Sequence, residues 1–380
     1  MSGLTLFIIL AVITLIFEWN MSVYRPFGGN PGGKDPSVSI LVPCRNEAEG
    51  IARNLKTLLA QDYSDYEVLV LDDNSDDGTL QILESLAAES SNLKVLRGKP
   101  LPSGWQGKNF ACHELSEAAR GEWLLFLDAD TRHEPGMLRM AMNTARSRRA
   151  DLLSTFPRQR FGSLGDELLV PMMFFVLLCF LPMYFVEKRT WKWAGNFSAA
   201  CGQLLLISRR AYAAAGGHRY VGNRISEAPV LAERAKNAGF RITLRDGSRW
   251  VSCQMYRGFR GVWEGFSRSL FATMGGSVLT AVFFTVFMTY LFLWPYVILG
   301  REAAFGGFGS TEFAAALAAV LLPVWIRIRI HRRIGMPLKL TGFHALAVVG
   351  YLAIMFNSLI HYRFKKSTVW KNRRYDNPET

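Results

Sequence analysis

The sequence has few cysteines, and they are widely spaced. The five are Cys44, Cys112, Cys179, Cys201 and Cys253. Zinc sites and the disulfide frameworks of small secreted proteins need cysteines in close pairs or at regular spacings. The wide spacing here therefore argues against a zinc site and against a disulfide framework. We expect a protein whose catalytic part lies in a reducing compartment.

The first apolar run lacks the flanking features of a cleaved signal peptide. Leu4 to Phe17 contains no charge, but no basic segment precedes it and no small-residue cleavage site follows it. We therefore expect residues 1–22 to be a retained transmembrane anchor. Residues 24–36 contain four glycines and three prolines, which is the composition of a linker.

No nucleic-acid-binding motif accompanies the positive charge of the chain. There are 44 Lys and Arg against 31 Asp and Glu, a net charge of +13. Much of the excess lies in two clusters near the C-terminus, and both flank apolar segments. Their members are Arg327, Arg329, His331, Arg332, Arg333 and Lys339, and then Arg363, Lys365, Lys366, Lys371, Arg373 and Arg374. Such clusters are typical of cytoplasmic loops of membrane proteins, so we expect a bilayer as partner and no nucleic acid.

Between the apolar ends, short β-rich runs alternate with helical stretches. The expected strands are Ser37–Pro43, Tyr66–Leu71, Leu93–Leu96 and Trp123–Leu127, and the expected helices are Ala48–Leu59, Gly78–Glu89 and Phe110–Ala119. This alternation predicts an α/β domain with a mostly parallel, Rossmann-like sheet and helices on both faces. We expect the domain to extend over residues 36–260. In such sheets, ligands bind beyond the carboxyl ends of the strands.

Two apolar segments are predicted to lie at the membrane surface. Residues 168–186 are broken by two prolines, which favours an interfacial or re-entrant segment that stays with the catalytic domain. In residues 261–276, Trp263 and Phe266 recur at helical spacing with polar residues between them. This pattern predicts an amphipathic interfacial helix.

The C-terminal part is predicted to cross the membrane. Residues 277–362 contain three stretches long enough for transmembrane helices, and a basic cytoplasmic tail follows at 363–380. Three spans from a cytoplasmic domain would leave this tail outside, against the positive-inside rule. The number of true spans therefore stays open.

Acidic residues lie at or just after the ends of three of the predicted strands. The segments are Pro43-Cys-Arg-Asn-Glu47, Asp72-Asp73-Asn-Ser-Asp76 and Asp128-Ala-Asp130. Asp and Asn after a strand often only cap the next helix, but three such segments at one edge of a sheet point to a ligand. A nucleotide-sugar suits carboxylates, because its base and ribose offer hydrogen-bond donors and its diphosphate arrives with a cation. Asp128 and Asp130 can hold Mg²⁺ or Mn²⁺ that also grips the phosphates.

These segments resemble the motifs of family 2 glycosyltransferases, whose catalytic domain has the GT-A fold. The likeness covers roughly Ser37 to Leu270. It implies one set of residues around the nucleoside and another around the diphosphate and metal. The first set is Pro43, Arg45, Glu47, Asp72 and Asp73; the second is Asp128, Ala129 and Asp130.

The chain is also similar to a membrane subgroup of this family that glycosylates hydrophobic acceptors, including carotenoid (4,4'-diaponeurosporenoate) and hopanoid-pathway glycosyltransferases. The segments that carry this likeness are Leu101-Pro-Ser-Gly-Trp-Gln-Gly-Lys108, Trp263-Glu-Gly-Phe-Ser-Arg268 and Val369-Trp-Lys-Asn-Arg-Arg-Tyr375. We expect Lys108 to reach the diphosphate as a point charge. The residues expected to contact the acceptor or the membrane are Trp105, Arg257, Trp263 and Phe266.

The chain departs from the family pattern at the catalytic base. The family usually has Glu-Asp at the start of a helix, but here Ala228 takes the place of the Asp. Glu227 is then the candidate base. The alternative is that Glu227 only supplies a negative charge in the first turn of a helix. Asp130 is the second candidate catalytic carboxylate. His218 is a candidate metal ligand or sugar contact. The processive-synthase signature Gln-x-x-Arg-Trp is absent, because Gly258 follows Arg257, so we expect single sugar transfer.

These features predict an inverting, metal-dependent transferase that moves one sugar from a nucleotide-sugar to a terpenoid or other lipid. The first candidate for the nucleotide-sugar is a UDP-sugar. We expect a multi-pass protein of the inner (plasma) membrane with a cytoplasmic catalytic domain. One alternative is a polyprenyl-phosphate glycosyltransferase, whose anionic acceptor needs no base. The other is an inactive protein that binds a sugar-nucleotide or a lipid, against which Asp128 and Asp130 argue.

Overall fold

The computed structural model describes residues 2–188, 197–224, 226–273, 275–364, 367–370 and 373–376. The chain divides into two compact units. The first, which we call the membrane unit, comprises Met1–Val23, Arg160–Pro182 and Tyr256–Thr368. The second, which we call the sheet unit, comprises Tyr24–Gln159, Met183–Met255 and Val369–Thr380.

Helices and strands are numbered along the chain. The helices are α1 (Gly3–Val23), α2 (Ile51–Leu59), α3 (Thr79–Glu89), α4 (Gly107–Ala118), α5 (Met137–Ser147), α6 (Leu164–Leu169), α7 (Pro171–Phe180), α8 (Met183–Glu187), α9 (Arg209–Ala214), α10 (Gly217–Val221), α11 (Glu227–Asn237), α12 (Gly258–Thr273), α13 (Val278–Phe292), α14 (Trp294–Ala304), α15 (Thr311–Ile334) and α16 (His344–Phe364). The strands are β1 (Val38–Cys44), β2 (Tyr66–Asp72), β3 (Leu93–Arg97), β4 (Trp123–Leu127), β5 (Thr131–His133), β6 (Leu152–Ser154), β7 (Arg158–Gln159), β8 (Leu204–Ser208), β9 (Ile242–Leu244), β10 (Val251–Cys253), β11 (Ser367–Trp370) and β12 (Arg373–Asp376).

A seven-stranded sheet in the order β3-β2-β1-β4-β8-β6-β9 forms the centre of the sheet unit. Strands β3, β2, β1 and β4 run parallel to one another, and so do β6 and β9, whereas β8 lies between the two groups and is antiparallel to both β4 and β6. The prediction of a mostly parallel sheet is therefore confirmed. The four strands expected from the sequence are all present, and each lies within one residue of its expected bounds.

The interior of the sheet explains why these runs form strands. Side chains of β1, β2 and β4 that are almost completely buried pack against helices α2, α3 and α5. They include Ile40, Val42, Val68, Val70, Leu125 and Leu127 on the strands, and Leu55, Leu83, Leu138 and Met142 on the helices. Continuous apolar runs of this kind are typical of parallel strands that are covered on both faces.

A second, three-stranded sheet in the order β5-β10-β7 lies within the same unit. Strand β5 begins directly after Asp130, and its register pairs Thr131 with Cys253 of β10. Thr131 also closes the turn after β4, because its backbone N–H and its hydroxyl both donate to the Asp128 carbonyl, at 3.2 and 2.6 Å. The second sheet therefore fixes the backbone on either side of Asp130.

Within its described residues, the membrane unit contains four helices that are long and apolar enough to cross a membrane. They are Gly3–Val23, Val278–Ala304, Thr311–Ile334 and His344–Arg363. The expectations of an N-terminal anchor at residues 1–22 and of C-terminal apolar helices at 277–362 agree with this finding. Of the basic tail predicted at 363–380, residues 365, 366, 371, 372 and 377–380 lie outside the described part of the chain.

The apolar segment 168–186 differs from its expected place. Residues 160–182 group with the membrane unit, whereas the sequence suggested that the segment stays with the catalytic domain. The physical reason is the all-round apolar surface of α7, whose Phe174, Phe175 and Leu178 are all buried. Asn20 of α1 supplies two donors to the end of this segment, at 2.8 Å from each of the carbonyls of Leu178 and Leu181.

Candidate active site

The carboxyl ends of β1 and β2 place two acidic residues side by side in the sheet unit. The parallel register pairs Cys44 with Asp72, and the Asp73 backbone N–H continues the ladder by donating to the Cys44 carbonyl at 2.8 Å. Both carboxylates are buried. Asp72 accepts a hydrogen bond from the Ser75 N–H through Oδ2, whereas its buried Oδ1 has no hydrogen-bond partner among the described residues.

The loop after β1 is held against the loop after β2. Arg45 donates through Nη1 to the carbonyls of Asp73 and Asn74. The Glu47 N–H donates to the Thr79 hydroxyl at 2.8 Å. Pro43 lies at the end of β1 and lines the pocket described below. The five residues expected around a nucleoside therefore lie at the carboxyl ends of β1 and β2 and in the loops that follow these strands.

Asp77 has the local role that aspartates before a helix often have. It is exposed and accepts hydrogen bonds from the Thr79 N–H and the Ala48 N–H, each at 3.0 Å. Asp76 is exposed as well, so the acidic segment after β2 divides into two buried residues at the strand end and two exposed ones.

The end of β4 carries the second acidic group. Asp128 and Asp130 flank Ala129, whose carbonyl accepts a hydrogen bond from the Asn54 side chain at 2.8 Å. Oδ1 of Asp130 is buried and has no hydrogen-bond partner among the described residues. Burial and then the charges of Asp128 and Glu47 raise the pKa of the Asp130 carboxyl well above its usual range. An acidic oxygen in this setting calls for a cation or a donor.

Lys108 connects the end of β4 to the start of α11. Its ammonium lies 2.7 Å from Oδ1 of Asp128 and 2.6 Å from Oε1 of Glu227. Although burial acts in the opposite direction, these two carboxylates hold the pKa of Lys108 well above its usual value. Burial alone would raise the pKa of Glu227, but the charge of Lys108 lowers it. The ion pair therefore stabilises the folded site at neutral pH, and this contribution fades only as the pH falls toward the lowered pKa of Glu227.

The start of α11 is positioned through α4. The side chain of Asn109 donates to the carbonyls of Gly222 and Arg224, at 2.8 and 2.9 Å, and the side chain of Gln106 donates to the Asn223 carbonyl at 3.1 Å. These bonds fix the segment that leads into Glu227. Ala228, which replaces the Asp of the family pattern, is buried in the wall of the pocket.

Gly202, just before β8, is a site residue that sequence reasoning missed. A Cβ added at this position would lie 2.4 Å from Oε1 of Glu227 and 3.0 Å from Nζ of Lys108. Real Cβ atoms essentially never show the first of these contacts, so any larger residue would require the Glu227 carboxylate to shift. No local signal in the sequence reveals this role, because it depends on side chains that are distant along the chain.

One pocket brings these residues together within the sheet unit. It is lined by Pro43, Lys108, Cys112, Phe126, Leu127, Asp128, Gly202, Leu205, His218, Glu227 and Ala228. It thus contains both the β4 end and the α11 start, the two places at which the sequence predicts donor and acceptor chemistry. Among the described residues, no group of three or more His, Cys, Asp and Glu could hold a metal ion by itself.

His218 lies in the wall of this pocket as a packed ring. It is buried, its Nδ1 lies 2.9 Å from the Tyr212 hydroxyl, and its ring centroid lies 4.7 Å from that of Phe126. Burial lowers the pKa of His218 to about 3, so the ring is neutral. Its proposed role as a metal ligand or sugar contact stays a prediction, and nothing below depends on it.

The residues expected to contact an acceptor are divided between the units. Trp105 belongs to the sheet unit and stacks on His113 with ring centroids 5.3 Å apart. Arg257, Trp263 and Phe266 belong to the membrane unit, the last two on α12. Phe266 is buried there against Tyr256 and Tyr351, whereas Trp263 is partly exposed and packs on Phe259. Their acceptor roles stay predictions.

Comparison with known proteins shows what this chain is similar to. The model of the family Glycosyl transferase family 2 matches residues 39–215. A 4,4'-diaponeurosporenoate glycosyltransferase of Staphylococcus haemolyticus is 24% identical over 354 residues, which cover 90% of each chain. A beta-monoglucosyldiacylglycerol synthase of Nostoc sp. is 41% identical over 108 residues, which cover 28% of this chain and 23% of that protein.

A solved structure shares the fold. It is that of the mannosyltransferase PcManGT from Pyrobaculum calidifontis, in complex with GDP-Man and Mn²⁺. The two structures align with a TM-score of 0.56 and 17% sequence identity over 96% of this chain and 99% of that chain. Together with the family match, this likeness confirms the GT-A fold that the sequence motifs imply.

The close approach of Gly202 to the ion pair generates the first prediction. Gly202→Ala should push Glu227 away from Lys108 and lower the rate of sugar transfer by about a hundredfold, the scale of loss that a misplacement of about 1 Å can cause. The measurement is the turnover rate, with the melting temperature recorded in parallel. Gly28→Ala is the matched control, because the nearest atom to a Cβ there is 4.0 Å away. Equal activity of the two variants would contradict the role of Gly202.

Proposed function

We propose that this glycosyltransferase, whose family 2 domain spans residues 39–215, transfers one sugar from a nucleotide-sugar to a membrane lipid with inversion at the anomeric carbon. The observation that carries the proposal is the pocket in which Lys108 joins Asp128, at the carboxyl edge of the sheet, to Glu227 at the start of α11. In an open α/β sheet this edge is the expected place for a nucleotide.

The nucleoside half of the donor suits the loops after β1 and β2. The unpartnered Oδ1 of Asp72 can accept a hydrogen bond from the base or the ribose. Asp73 lies beside it, and Arg45 holds the neighbouring loop carbonyls in place. A UDP-sugar is the first candidate donor, as the sequence motifs suggest, and other nucleoside diphosphates would meet the same groups.

The residues at the end of β4 fit a divalent cation. Asp128 and Asp130 would hold it, because Asp130 offers a buried oxygen without a hydrogen-bond partner among the described residues. Two carboxylates are what Mg²⁺ commonly takes from a protein, with phosphates and water as its other ligands. When bound, a cation of this kind neutralises the charge that builds up on the departing diphosphate.

Lys108 supplies the positive charge of the chain itself at this point. Its ammonium already balances one carboxylate from each side of the pocket. A diphosphate that enters beside Asp128 would bring further negative charge within reach of the same ammonium, which can turn toward it without a change of backbone. Lys108 would then loosen its bond to Glu227 when the donor is in place.

The acceptor step depends on how basic Glu227 is. A carboxylate whose pKa is lowered by an ammonium 2.6 Å away is a weak proton acceptor. If the acceptor is a hydroxyl, Glu227 must be released from Lys108 before it can take the proton. If the acceptor is already ionised, no base is needed.

The ion pair therefore favours a second candidate function, in which the acceptor is a lipid carboxylate or phosphate. The relative from Staphylococcus haemolyticus is named for diaponeurosporenoate, the anion of a carboxylic acid. Transfer to a carboxylate would form a glycosyl ester and release the nucleoside diphosphate. The polyprenyl-phosphate acceptor considered from the sequence belongs to the same class.

A lipid acceptor accords with the composition of the membrane unit. Four of its helices are long and apolar enough to cross a membrane, and the basic clusters near α15 and the C-terminus are typical of cytoplasmic loops. We propose that the protein is a multi-pass protein of the plasma membrane with its sheet unit in the cytoplasm. Trp263 of α12 is the residue we expect to contact the lipid part of the acceptor.

The metal assignment generates the second prediction. Asp130→Asn removes the charge of the unpartnered carboxylate without changing its size, so release of nucleoside diphosphate from a nucleotide-sugar in the presence of lipid should fall at least about a hundredfold. A chelator should have the same effect on the unmodified protein, and added Mn²⁺ or Mg²⁺ should reverse it.

Asp65→Asn is the matched control, because Asp65 is an exposed aspartate of the same unit. A fully active Asp130→Asn variant, or full activity in excess chelator, would refute the metal site. A protein that binds nucleotide-sugar but never releases the diphosphate with any lipid would instead support the inactive binding protein.

The third prediction separates the two acceptor classes. Glu227→Gln keeps the shape of the side chain and removes its basicity. With a hydroxyl acceptor the transfer rate should fall by roughly 10²–10⁴-fold, the usual contribution of a general base, whereas a carboxylate or phosphate acceptor should lose much less. The measurement is the transfer rate with lipid alcohols and lipid acids side by side.

Glu233→Gln on the same helix serves as the control, because Glu233 is exposed. Near-normal rates of the Glu227→Gln variant with a hydroxyl acceptor would show that Glu227 is only a helix-start charge. A large and equal loss with both acceptor classes would show that Glu227 mainly positions Lys108.

A further inference from the structure

The membrane unit contains a buried arginine whose charge is not matched. Arg327 of α15 is only 1% exposed. Its Nη2 donates to the Leu168 carbonyl at 3.1 Å, but its Nε and Nη1 have no hydrogen-bond partner among the described residues. A guanidinium stays protonated at any physiological pH, so neutralisation by proton loss is not open to it.

No carboxylate in the described part of the chain forms an ion pair with Arg327. Glu167 lies one residue before Leu168 but pairs with Lys339, at 3.0 Å. A buried charge without a counter-charge strongly opposes folding unless something else supplies the negative partner. Water could fill the hydrogen bonds of Arg327, but it could not balance the charge.

Two histidines lie close to Arg327, and one of them can add a donor. His331 lies one helical turn further along α15, and His344 opens α16; both are buried, and the charge of Arg327 acts on both rings. The Nδ1 of His331 contacts the Pro337 carbonyl and therefore carries a proton. The Nε2 of His331 and both ring nitrogens of His344 have no hydrogen-bond partner among the described residues.

Arg327 lies in the last third of α15, close to one end of the helix. Helix α15 ends at Ile334, seven residues after Arg327, so Arg327 lies about 10 Å before the end of the helix at a rise of about 1.5 Å per residue. The whole helix is about 36 Å long, and the hydrocarbon core of a bilayer is about 30 Å thick. His344 follows a short connection at the same end. A long side chain in this position can reach the interfacial region.

We propose that Arg327 and His344 bind the oxyanion of an anionic membrane lipid, a phosphate or a carboxylate. The N–H groups at Nε and Nη1 of the guanidinium, which have no partner among the described residues, can donate to such an oxyanion, and a ring N–H of His344 adds a further donor. The site goes beyond the proposed function, since it would hold a lipid whether or not that lipid is the sugar acceptor.

The test uses the full chain, purified in detergent and stripped of lipid. Binding of phosphatidylglycerol, phosphatidylcholine, oleate and inorganic phosphate is measured by native mass spectrometry and by the shift in melting temperature. We expect the two anionic lipids to bind at least about tenfold more tightly than phosphatidylcholine, because hydrogen bonds to charged groups are worth more than neutral ones. Stronger binding of phosphatidylglycerol than oleate identifies a phosphate site, and the reverse order identifies a carboxylate site.

Arg327→Gln should abolish most of this preference, with a loss of at least about tenfold in the affinity for the anionic lipid. Arg332→Gln is the matched control, because it removes an equal charge from an exposed position on the same helix. Without lipid, Arg327→Gln should be at least as stable as the unmodified chain, since it removes an unmatched buried charge.

His344→Asn provides a second variant if Arg327→Gln does not fold, and it should weaken anionic-lipid binding while leaving that of phosphatidylcholine unchanged. No preference of the unmodified chain for anionic lipids would overturn the proposal. So would equal losses in Arg327→Gln and Arg332→Gln, which would mean general attraction to a basic surface. Binding of inorganic phosphate as tight as that of the lipids would replace the lipid site with a free-anion site.

Discussion

The ammonium of Lys108 is the charge on which the candidate active site depends. The carboxylates of Asp128, Asp130 and Glu227 belong to one partly buried region. Neighbouring carboxylates raise one another's pKa, because each one disfavours the charged form of the others. Lys108 neutralises one carboxylate on each side, which keeps Glu227 ionised and ties α11 to the edge of the sheet. At Asp130, burial and the charge of Asp128 outweigh the opposing effect of Lys108, so the pKa of that carboxyl stays raised.

Under the proposed function, this division would let one pocket serve both halves of a transfer reaction. The strand ends of β1, β2 and β4 provide fixed acidic groups, whose positions follow from parallel register. The start of α11 comes from a distant part of the chain and is held by hydrogen bonds from α4 and by Lys108. A ligand that changes the charge near Asp128 therefore acts on Glu227 through a single side chain.

The sequence predicted those parts of the molecule that depend on local patterns. Continuous apolar runs followed by Asp72, Asp73 and Asp128 define both the strands and the edge at which ligands gather. The contact between Lys108 and Glu227 joins residues 119 positions apart. The need for glycine at position 202 arises from that contact alone, and β8 is antiparallel because of tertiary pairing. Neither leaves a periodic or compositional signal.

The loss of the usual Asp at position 228 also has a physical consequence. An Asp at the second residue of α11 would add a further negative charge beside Glu227. Lys108 already pairs with Asp128 and Glu227, so its single positive charge could not also balance a third carboxylate. With Ala228 buried in the wall, the ion pair is complete, but the remaining carboxylate is a weaker base. An acceptor that arrives ionised removes the need for that base. The same substitution that weakens proton transfer therefore accords with an anionic lipid acceptor.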